Sequence, residues 1–258
     1  MISPISHWHD SKLQAQSISL IIHGLNLCPS KMDSLAFSLN EQRSHCLLIH
    51  LSGHDQNKLC ARPSLEQWLC DFDTAYQKAF KRASKMKIPL YFLGHSMGNL
   101  LALYSESLKG PPLFSKRVML APCFEIPIYY KVIQPLLRQL PNSFSLPSFA
   151  PKKYRAHGKT PITSYKALFT LISHFKKNLF ELFPTETLIF LNPKDELLDY
   201  QKTVKKISTQ KLKHWRIKTT TRDHKIKETP NHLFIDPFSV GDEAYKNIIL
   251  EIKAFLKN

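Results

Sequence analysis

The sequence predicts an α/β protein built on a mostly parallel sheet of about six strands, with helices on both faces of the sheet. Short runs rich in β-branched residues and leucine alternate with longer stretches of helical spacing, which is the pattern of repeated strand–helix–strand units. With 258 residues, 43% of them hydrophobic and 22% charged, the chain is long enough and apolar enough to bury one large core.

The predicted elements follow from the spacing of the apolar residues. Six runs are predicted to be strands: Ser17–Ile22, His45–Leu51, Ile88–Leu93, Arg117–Leu120, Thr187–Leu191 and Leu212–Lys218. Four stretches have the spacing of helices: Ser30–Asn40, Ser64–Lys85, Asn99–Leu108 and Asp242–Leu256. Ser30 and Ser64 are the predicted N-caps of the first two helices, because a serine hydroxyl accepts a hydrogen bond from the first turn.

Residues 123–184 interrupt this alternation of strands and helices. They are predicted to form a small cap, inserted into a core of residues 1–122 and 185–258. The first half contains five prolines among many aromatic residues, and the second half, Ile162–Phe183, again has helical spacing. Such an insertion would lie above the carboxyl ends of the strands, where open α/β sheets bind their ligands. Five of its apolar residues can line a substrate pocket or simply pack the cap onto the core: Phe124, Ile126, Ile128, Tyr129 and Tyr130.

The chain is strongly basic, with a formal net charge of +16. The lysine and arginine clusters carry no nucleic-acid-binding motif and no regular aromatic interleaving, so nucleic acid is not a predicted partner. A solvated lysine-rich surface explains the charge, and peripheral contact with an anionic membrane remains open as an alternative. The charge does not decide the function.

Composition also predicts a cytoplasmic location. No apolar run approaches the roughly 20 residues of a membrane-spanning helix, and the first ten residues lack the features of a secretory leader. The five cysteines are an odd number and form no Cys-x-x-Cys pair, which favours reduced, mostly buried thiols over a disulfide framework or a zinc site.

The strongest functional motif is Gly94-His95-Ser96-Met97-Gly98, which directly follows the third predicted strand and precedes a helix. This Gly-x-Ser-x-Gly pattern is typical of a nucleophile elbow, a sharp turn that exposes a reactive serine. The two glycines allow the strand and the helix to approach each other closely. We therefore expect Ser96 to be a catalytic nucleophile.

A second turn, His23-Gly24-Leu25-Asn26, follows the first predicted strand. In a site of this type, that turn and the residue after the nucleophile supply backbone N–H groups that bind the negative oxygen of a reaction intermediate. Leu25 and Met97 are therefore the predicted oxyanion donors. His23 is expected to hold the loop, and His95 to pack behind the elbow.

The turns His23-Gly24, Gly53-His54 and Gly94–Gly98 together resemble the α/β-hydrolase superfamily, specifically its carboxylesterase and monoacylglycerol-lipase branch. Four of the seven glycines of the chain lie in these three turns. The resemblance covers nearly the whole chain outside the cap. Two features depart from the family pattern: Asn99 replaces a frequent glycine, and the region before Ser17 is too short for the two additional strands of larger members.

The resemblance implies that an acid and a histidine follow the serine in that order. Asp195, in the loop after the fifth predicted strand, matches the acid, with Glu196 and Asp199 as rivals. His232, which precedes the last helix, matches the histidine, with His224 as the alternative. The remaining histidines have no motif and no convincing metal spacing, so no metal site is expected.

These residues imply a serine hydrolase that cleaves small-molecule carboxylic esters through an acyl-enzyme and needs no cofactor. A thioesterase or an acyltransferase would use the same three residues. A binding protein that kept the fold and lost turnover is the remaining alternative. The sequence predicts no oligomeric state.

Overall fold

A computed structural model describes most of the chain, namely residues 6–55, 62–110, 112–176, 184–209 and 212–257. Its centre is a seven-stranded sheet formed by β1 (His7–His9), β2 (Ser17–Ile22), β3 (Ser44–Ile49), β4 (Leu90–His95), β5 (Lys116–Leu120), β8 (Thr187–Leu191) and β9 (Trp215–Thr219). The strand order is β1-β3-β2-β4-β5-β8-β9, and every pair except β1 with β3 is parallel. A separate two-stranded pair consists of β6 (Ser145–Pro147) and β7 (Lys159–Pro161).

The described helices are α1 (Asp33–Asn40), α2 (Leu65–Met86), α3 (Met97–Lys109), α4 (Ile128–Gln139), α5 (Ile162–His174), α6 (Tyr200–Thr209), α7 (Pro237–Val240) and α8 (Asp242–Lys257). The fold class predicted from the sequence is confirmed, since the sheet is mostly parallel and flanked by helices. None of the described helices combines the length and the apolar composition needed to cross a membrane.

The two predicted N-caps have different outcomes. The Ser64 side chain accepts a hydrogen bond from the backbone N–H of Gln67, as expected of an N-cap. The prediction for Ser30 is wrong, because a single 3₁₀ turn, Pro29–Met32, precedes α1 and contains this residue. Pro29 has no N–H group and a fixed φ, which suits it to the first position of that turn.

All six predicted strands are present, with bounds that shift by up to three residues. The seventh, β1, was not predicted. It pairs antiparallel with β3, with Trp8 opposite Leu47. Its three residues show no strand pattern of their own, so its formation depends on a partner strand far along the chain.

The parallel register brings the ends of several strands to one edge of the sheet. Ile22 pairs with Gly94, and Leu120 pairs with both His95 and Phe190. The loops that follow β2, β4 and β8 therefore begin at the same level. Since β2 and β3 are buried along their whole length, these loops rest on a rigid and dry part of the core.

Residues 123–184, called here the cap segment, contain α4, β6, β7 and α5. Helix α5 has many buried residues and packs against α3 and α4. Helix α4 buries only Gln134 and contains Pro135 in its interior. The predicted helical stretch Ile162–Phe183 corresponds to α5 as far as His174, and its last residues, 177–183, lie outside the described residues.

The cysteines follow the expectation of mostly buried thiols where they are described. Cys28, Cys46 and Cys123 are buried and Cys70 is exposed, and all four are free. Cys60 lies outside the described residues. Burial raises the pKa of the Cys123 thiol to about 12, so this group is an unreactive thiol rather than a thiolate.

Candidate active site

Ser96 lies on the tight turn between β4 and α3. Its backbone has φ 52° and ψ −122°, a strained conformation for a residue with a side chain. A Cβ atom at Gly98 would lie 2.5 Å from the carbonyl oxygen of His23, and one at Gly94 would collide with the Asn99 side chain. The two glycines are therefore required for the close approach of strand, helix and neighbouring loop.

The structure brings Ser96, His232 and Asp195 into one hydrogen-bonded row. His232 Nε2 lies 2.8 Å from Ser96 Oγ, and His232 Nδ1 lies 2.8 Å from Asp195 Oδ2. The Asp195 carboxylate is fully buried and also accepts hydrogen bonds from the backbone N–H groups of Leu197 and Leu198. These bonds fix the carboxylate, which in turn orients the imidazole so that Nε2 can accept the serine proton.

Glu196, a rival for the acid, lies beside the row and contacts the backbone of the histidine loop instead of the imidazole. Its carboxylate accepts hydrogen bonds from the backbone N–H groups of Asn231 and His232 and from the Asn231 side chain. Glu196 thus holds the loop that carries His232. The sequence alone indicates this residue only as an alternative to Asp195.

The other two alternatives lie away from the row. Asp199 accepts a hydrogen bond from the backbone N–H of Lys202 in the first turn of α6, as the N-cap residue of a helix does. His224 is 89% exposed and pairs with its neighbour Asp223. The ring that is hydrogen-bonded to Ser96 is that of His232 and not that of His224. The carboxylate that is hydrogen-bonded to His232 is that of Asp195 and not that of Asp199.

The two predicted oxyanion donors belong to segments next to Ser96: Met97 follows it in the chain, and Leu25 lies in the turn after β2. Met97 is the first residue of α3, where a helix leaves its N–H groups without intrahelical acceptors. Leu25 follows Gly24, whose missing side chain allows close approach: a Cβ atom there would lie 2.9 Å from His95 Nδ1 and 3.1 Å from Ser96 Cβ. The turn after β2 therefore lies directly against the elbow.

His95 and His23 have the supporting positions that the sequence predicts. His95 Nε2 lies 3.1 Å from the carbonyl oxygen of His232, and burial lowers the pKa of His95 to about 3. His23 Nδ1 donates to the carbonyl of Gly24, while its Nε2 accepts from the N–H of Leu51. Burial also lowers the pKa of His23 well below its usual range, so both rings are neutral and serve as hydrogen-bonding braces.

Asn26 is a residue whose role the sequence did not reveal. Its side-chain nitrogen lies within 3.0 Å of Ser148 Oγ, the carbonyl of His157 and Thr160 Oγ1, all in the cap segment. Its backbone N–H donates to His54 Nε2 in the core. Asn26 adopts φ 51°, a left-handed conformation that asparagine tolerates better than most residues. Asn26 therefore links the predicted oxyanion loop both to the core and to the cap segment.

Asn99, the departure from the family pattern, braces the elbow. Its side-chain amide donates to the carbonyl oxygens of Leu120 and Ser96, at 3.0 and 3.2 Å. An asparagine at this position thus links the end of β5 to the turn that carries the serine. A glycine could not make these bonds.

An apolar cavity of about 240 Å³ opens above Ser96 and His232. Its walls come mostly from the cap segment and include Ile126, Tyr130, Ile133, Leu137, Leu146, Phe149, Tyr165, Leu168, Phe169 and Ile172. None of the described residues that line it is an aspartate or a glutamate. The arrangement can therefore hold an apolar chain next to a serine hydroxyl.

Of the five cap residues considered for such a pocket, Ile126 and Tyr130 line the cavity. Phe124 is buried and packs against Phe175 and Trp215, so it belongs to the core. Ile128 and Tyr129 are exposed. Periodicity could not separate these roles, because α4 was not predicted.

Comparison with solved structures identifies the fold as that of the α/β-hydrolases. A soluble variant of monoglyceride lipase from Saccharomyces cerevisiae, in complex with a substrate analogue, is similar with a TM-score of 0.78 and 15% identity, over 97% of this chain and 90% of that chain. A monoacylglycerol lipase from Paleococcus ferrophilus is similar with a TM-score of 0.75 and 14% identity, over 98% of each chain. A carboxyl esterase from Bacillus coagulans, in complex with glycerol, has a TM-score of 0.73 and 12% identity, over 97% of this chain and 92% of that chain.

The chain belongs to the family described as serine aminopeptidase, S33, whose model matches residues 14–222. This is a hydrolase family of the α/β type, and the resemblance inferred from the sequence motifs is confirmed. No curated protein sequence matches the chain significantly.

Proposed function

We propose that the protein is a serine hydrolase that cleaves carboxylic esters with an apolar acyl chain. The observation that carries this proposal is the row from Asp195 through His232 to Ser96 at the base of an apolar cavity. A serine is a weak nucleophile at neutral pH, and a hydrogen-bonded imidazole is the base that activates it. The cavity offers the adjacent space for the acyl chain.

In the first half of the reaction, Ser96 Oγ attacks the ester carbonyl while His232 Nε2 takes the serine proton. The carbonyl oxygen becomes negative, and the N–H groups of Leu25 and Met97 donate hydrogen bonds to it. His232 then gives its proton to the leaving alcohol as the carbon–oxygen bond breaks. The acyl group remains on Ser96, and Asp195 stabilises the imidazolium throughout.

In the second half, a water molecule replaces the alcohol. His232 Nε2 accepts a proton from this water, whose oxygen attacks the acyl carbon and forms a second negative oxygen in the same hole. The bond to Ser96 Oγ then breaks, and His232 returns the proton to the serine. A carboxylic acid leaves and the free enzyme is restored without any cofactor.

The lining of the cavity favours an ester over a peptide substrate. An aminopeptidase must hold the positive amino terminus of its substrate, and a carboxylate is the usual partner for such a buried charge. None of the described lining residues is an aspartate or a glutamate, and the Asp195 carboxylate beside His232 already binds that imidazole and two backbone N–H groups. An uncharged acyl chain can enter the cavity without the free-energy cost of burying an unpaired charge.

A panel of p-nitrophenyl esters graded by chain length, matched acyl thioesters and aminoacyl anilides tests the proposal. We expect hydrolysis of the esters, with higher kcat/KM for chains that fill the cavity, and none of it in Ser96→Ala. A preference for the thioesters would indicate the thioesterase alternative. Cleavage of the anilides alone would contradict an ester hydrolase, and inactivity of folded protein on all three classes would favour a binding protein.

We further propose that the exposed face of α4 contacts an anionic lipid surface. Ile128, Val132 and Leu136 are 64%, 71% and 63% exposed, and their spacing places them on one stripe of the helix. Ile133 and Leu137, which directly follow Val132 and Leu136 in the chain, line the cavity. A net charge of +16 attracts the protein to anionic headgroups, and the stripe supplies the apolar contact.

Co-sedimentation with vesicles of phosphatidylglycerol and phosphatidylcholine tests this contact. We expect binding that weakens with salt, and a loss of about tenfold in Val132→Ser/Leu136→Ser. Leu108→Ser, at an exposed leucine near the end of α3, is the matched control and should bind as wild type does. Equal binding by both variants would contradict a role for the stripe.

A further inference from the structure

A cluster of three potential metal ligands lies on the first strand and the first helix. His7 and His9 are two residues apart on β1, so their side chains point to the same face of the strand. Asp33 is in the first turn of α1. His7 Nε2 lies 2.8 Å from His9 Nε2, and Asp33 Oδ1 lies 3.2 Å from His9 Nε2 and 3.8 Å from His7 Nε2.

These three separations fit a single bound ion. Zinc binds histidine nitrogen at about 2.0–2.1 Å and carboxylate oxygen at about 2.0–2.2 Å, which puts two tetrahedral ligands about 3.3 Å apart. The distances between His7, His9 and Asp33 scatter around that value. Three atoms so placed lie on a circle with a radius of about 1.9 Å, so a cation close to its centre is within about 2 Å of all three.

The hydrogen bonding around the cluster is incomplete. Asp33 Oδ1 is buried, and no donor in the described part of the chain meets it in hydrogen-bond geometry, although His9 Nε2 is 3.2 Å away. A buried carboxylate oxygen without a partner is costly unless a cation binds it. His50 packs edge-on against His7, and its buried Nε2 also lacks a hydrogen-bond partner among the described residues.

The donor set suits a divalent metal ion. Two imidazole nitrogens and one carboxylate oxygen are donors typical of zinc and similar divalent ions.

We propose that His7, His9 and Asp33 form a binding site for a zinc-type divalent metal ion, with one coordination position open to water. The ion fastens the short edge strand β1 to α1 and is separate from the proposed hydrolytic row. The expectation that the chain holds no metal rested on spacing along the sequence, where Asp33 is 24 positions from His9. Only the pairing of β1 with β3 brings β1 next to α1.

Titration of the metal-free protein with Co²⁺, followed by visible absorption, tests the site. We expect one equivalent of Co²⁺ to give the bands of a four-coordinate ion and Zn²⁺ to abolish them. Zn²⁺ at about 100 times its Kd should raise the Tm by about 5 °C or more. No Co²⁺ bands and no change in Tm with Zn²⁺ would mean that the two histidines are only hydrogen-bonded to each other, and would overturn the proposal.

Variants identify the ligands. We expect His9→Gln and Asp33→Asn to weaken Co²⁺ binding at least tenfold and to lose the effect of Zn²⁺ on Tm, while ester hydrolysis stays unchanged. His224→Gln, at an exposed histidine, is the matched control and should bind as wild type does. Unchanged affinity in folded His9→Gln and Asp33→Asn would place the metal elsewhere and refute this assignment.

Discussion

The loops at the edge of the sheet and the cap segment are built in opposite ways. His232, Ser96 and the side chain of Asp195 are buried, and each is held by hydrogen bonds to the loops around it. Helix α4, in contrast, buries only Gln134 and exposes a stripe of large apolar residues. Several hydrogen bonds fix the groups of the first region, whereas α4 in the second region has few buried side chains that specify its position.

This difference separates two properties of the proposed enzyme. Rigid, pre-positioned groups are what a chemical step requires, because small displacements of a catalytic group reduce the rate strongly. A weakly packed apolar wall can adapt to chains of different length. We therefore expect changes at the sheet edge to abolish turnover, and changes in the cap segment to alter the choice of substrate.

The largest effect should come from the histidine of the row. His232→Ala removes the base that contacts Ser96, and we expect kcat/KM for a short ester to fall by about 10³-fold or more without loss of the fold. His224→Ala changes an exposed side chain and should keep wild-type kinetics. Steady-state assays with circular dichroism check both variants, and the reverse pattern would assign the base to His224.

The second-largest effect should be a loss of stability of the core in acid. Burial lowers the pKa of His54 to about 4 and that of His95 to about 3, against about 6.5 in the unfolded chain. Between the two pKa values of each ring, the unfolded chain binds a proton that the folded chain does not bind. The contribution of each neutral ring to the free energy of unfolding is therefore fully present above pH 6.5. It is lost as the pH falls toward the folded pKa, which is about 4 for His54 and about 3 for His95. Each ring contributes a slope of about 1.4 kcal/mol per pH unit in that window.

Urea unfolding at several pH values between 7.5 and 4.5 measures this slope. We expect His54→Gln to be less stable than wild type at pH 7.5 and to have a shallower decline with acid. His224→Gln should keep the wild-type slope, since its ring is exposed. A slope in His54→Gln equal to that of wild type would show that His54 is not held neutral.

A smaller effect is expected at Asn26, where the two regions meet. Asn26→Ala removes the hydrogen bonds to Ser148, His157 and Thr160 and frees the loop that carries Leu25. We expect kcat to fall about tenfold, in line with the loss of one or two hydrogen bonds in a positioned loop. Acetyl and long-chain esters should lose kcat equally, whereas a loss confined to long chains would restrict Asn26 to a role in the cap segment.

The smallest effect should come from the cap segment itself. Phe149 is exposed and lines the cavity, so Phe149→Ala should raise KM for long-chain esters several-fold and leave acetyl esters unchanged. Phe144→Ala removes an exposed phenylalanine that is not among the lining residues, and it should have no effect on either substrate. An equal loss of kcat on both substrates in Phe149→Ala would contradict the separation of chemistry and selectivity.

The sheet and the turn that carries Ser96 were predictable because their signals are local. The strand β4, the glycines at 94 and 98 and the helix that follows lie within one short stretch of sequence. Its close approaches need small residues, so the glycines mark the turn. Asp195 and His232 required the resemblance to a family, since nothing in their own neighbourhoods distinguishes them from other acids and histidines.

The elements that escaped prediction depend on contacts far along the chain. Strand β1 forms on β3, and α4 contains Pro135, which normally indicates the end of a helix. Asn26 and Glu196 act through hydrogen bonds to loops far along the chain, so their roles became visible only once the loops were in place. The same is true of the cluster of His7, His9 and Asp33.

The central claim is that Ser96 is the nucleophile activated by His232. Reaction with a fluorophosphonate, followed by mass spectrometry of the peptides, tests it most directly, because this reagent bonds covalently to an activated serine oxygen. We predict one adduct per chain, on Ser96, formed at a rate that falls at least 10³-fold in His232→Ala and absent in Ser96→Ala. No adduct in the folded wild-type protein, or an adduct on another serine, would contradict it.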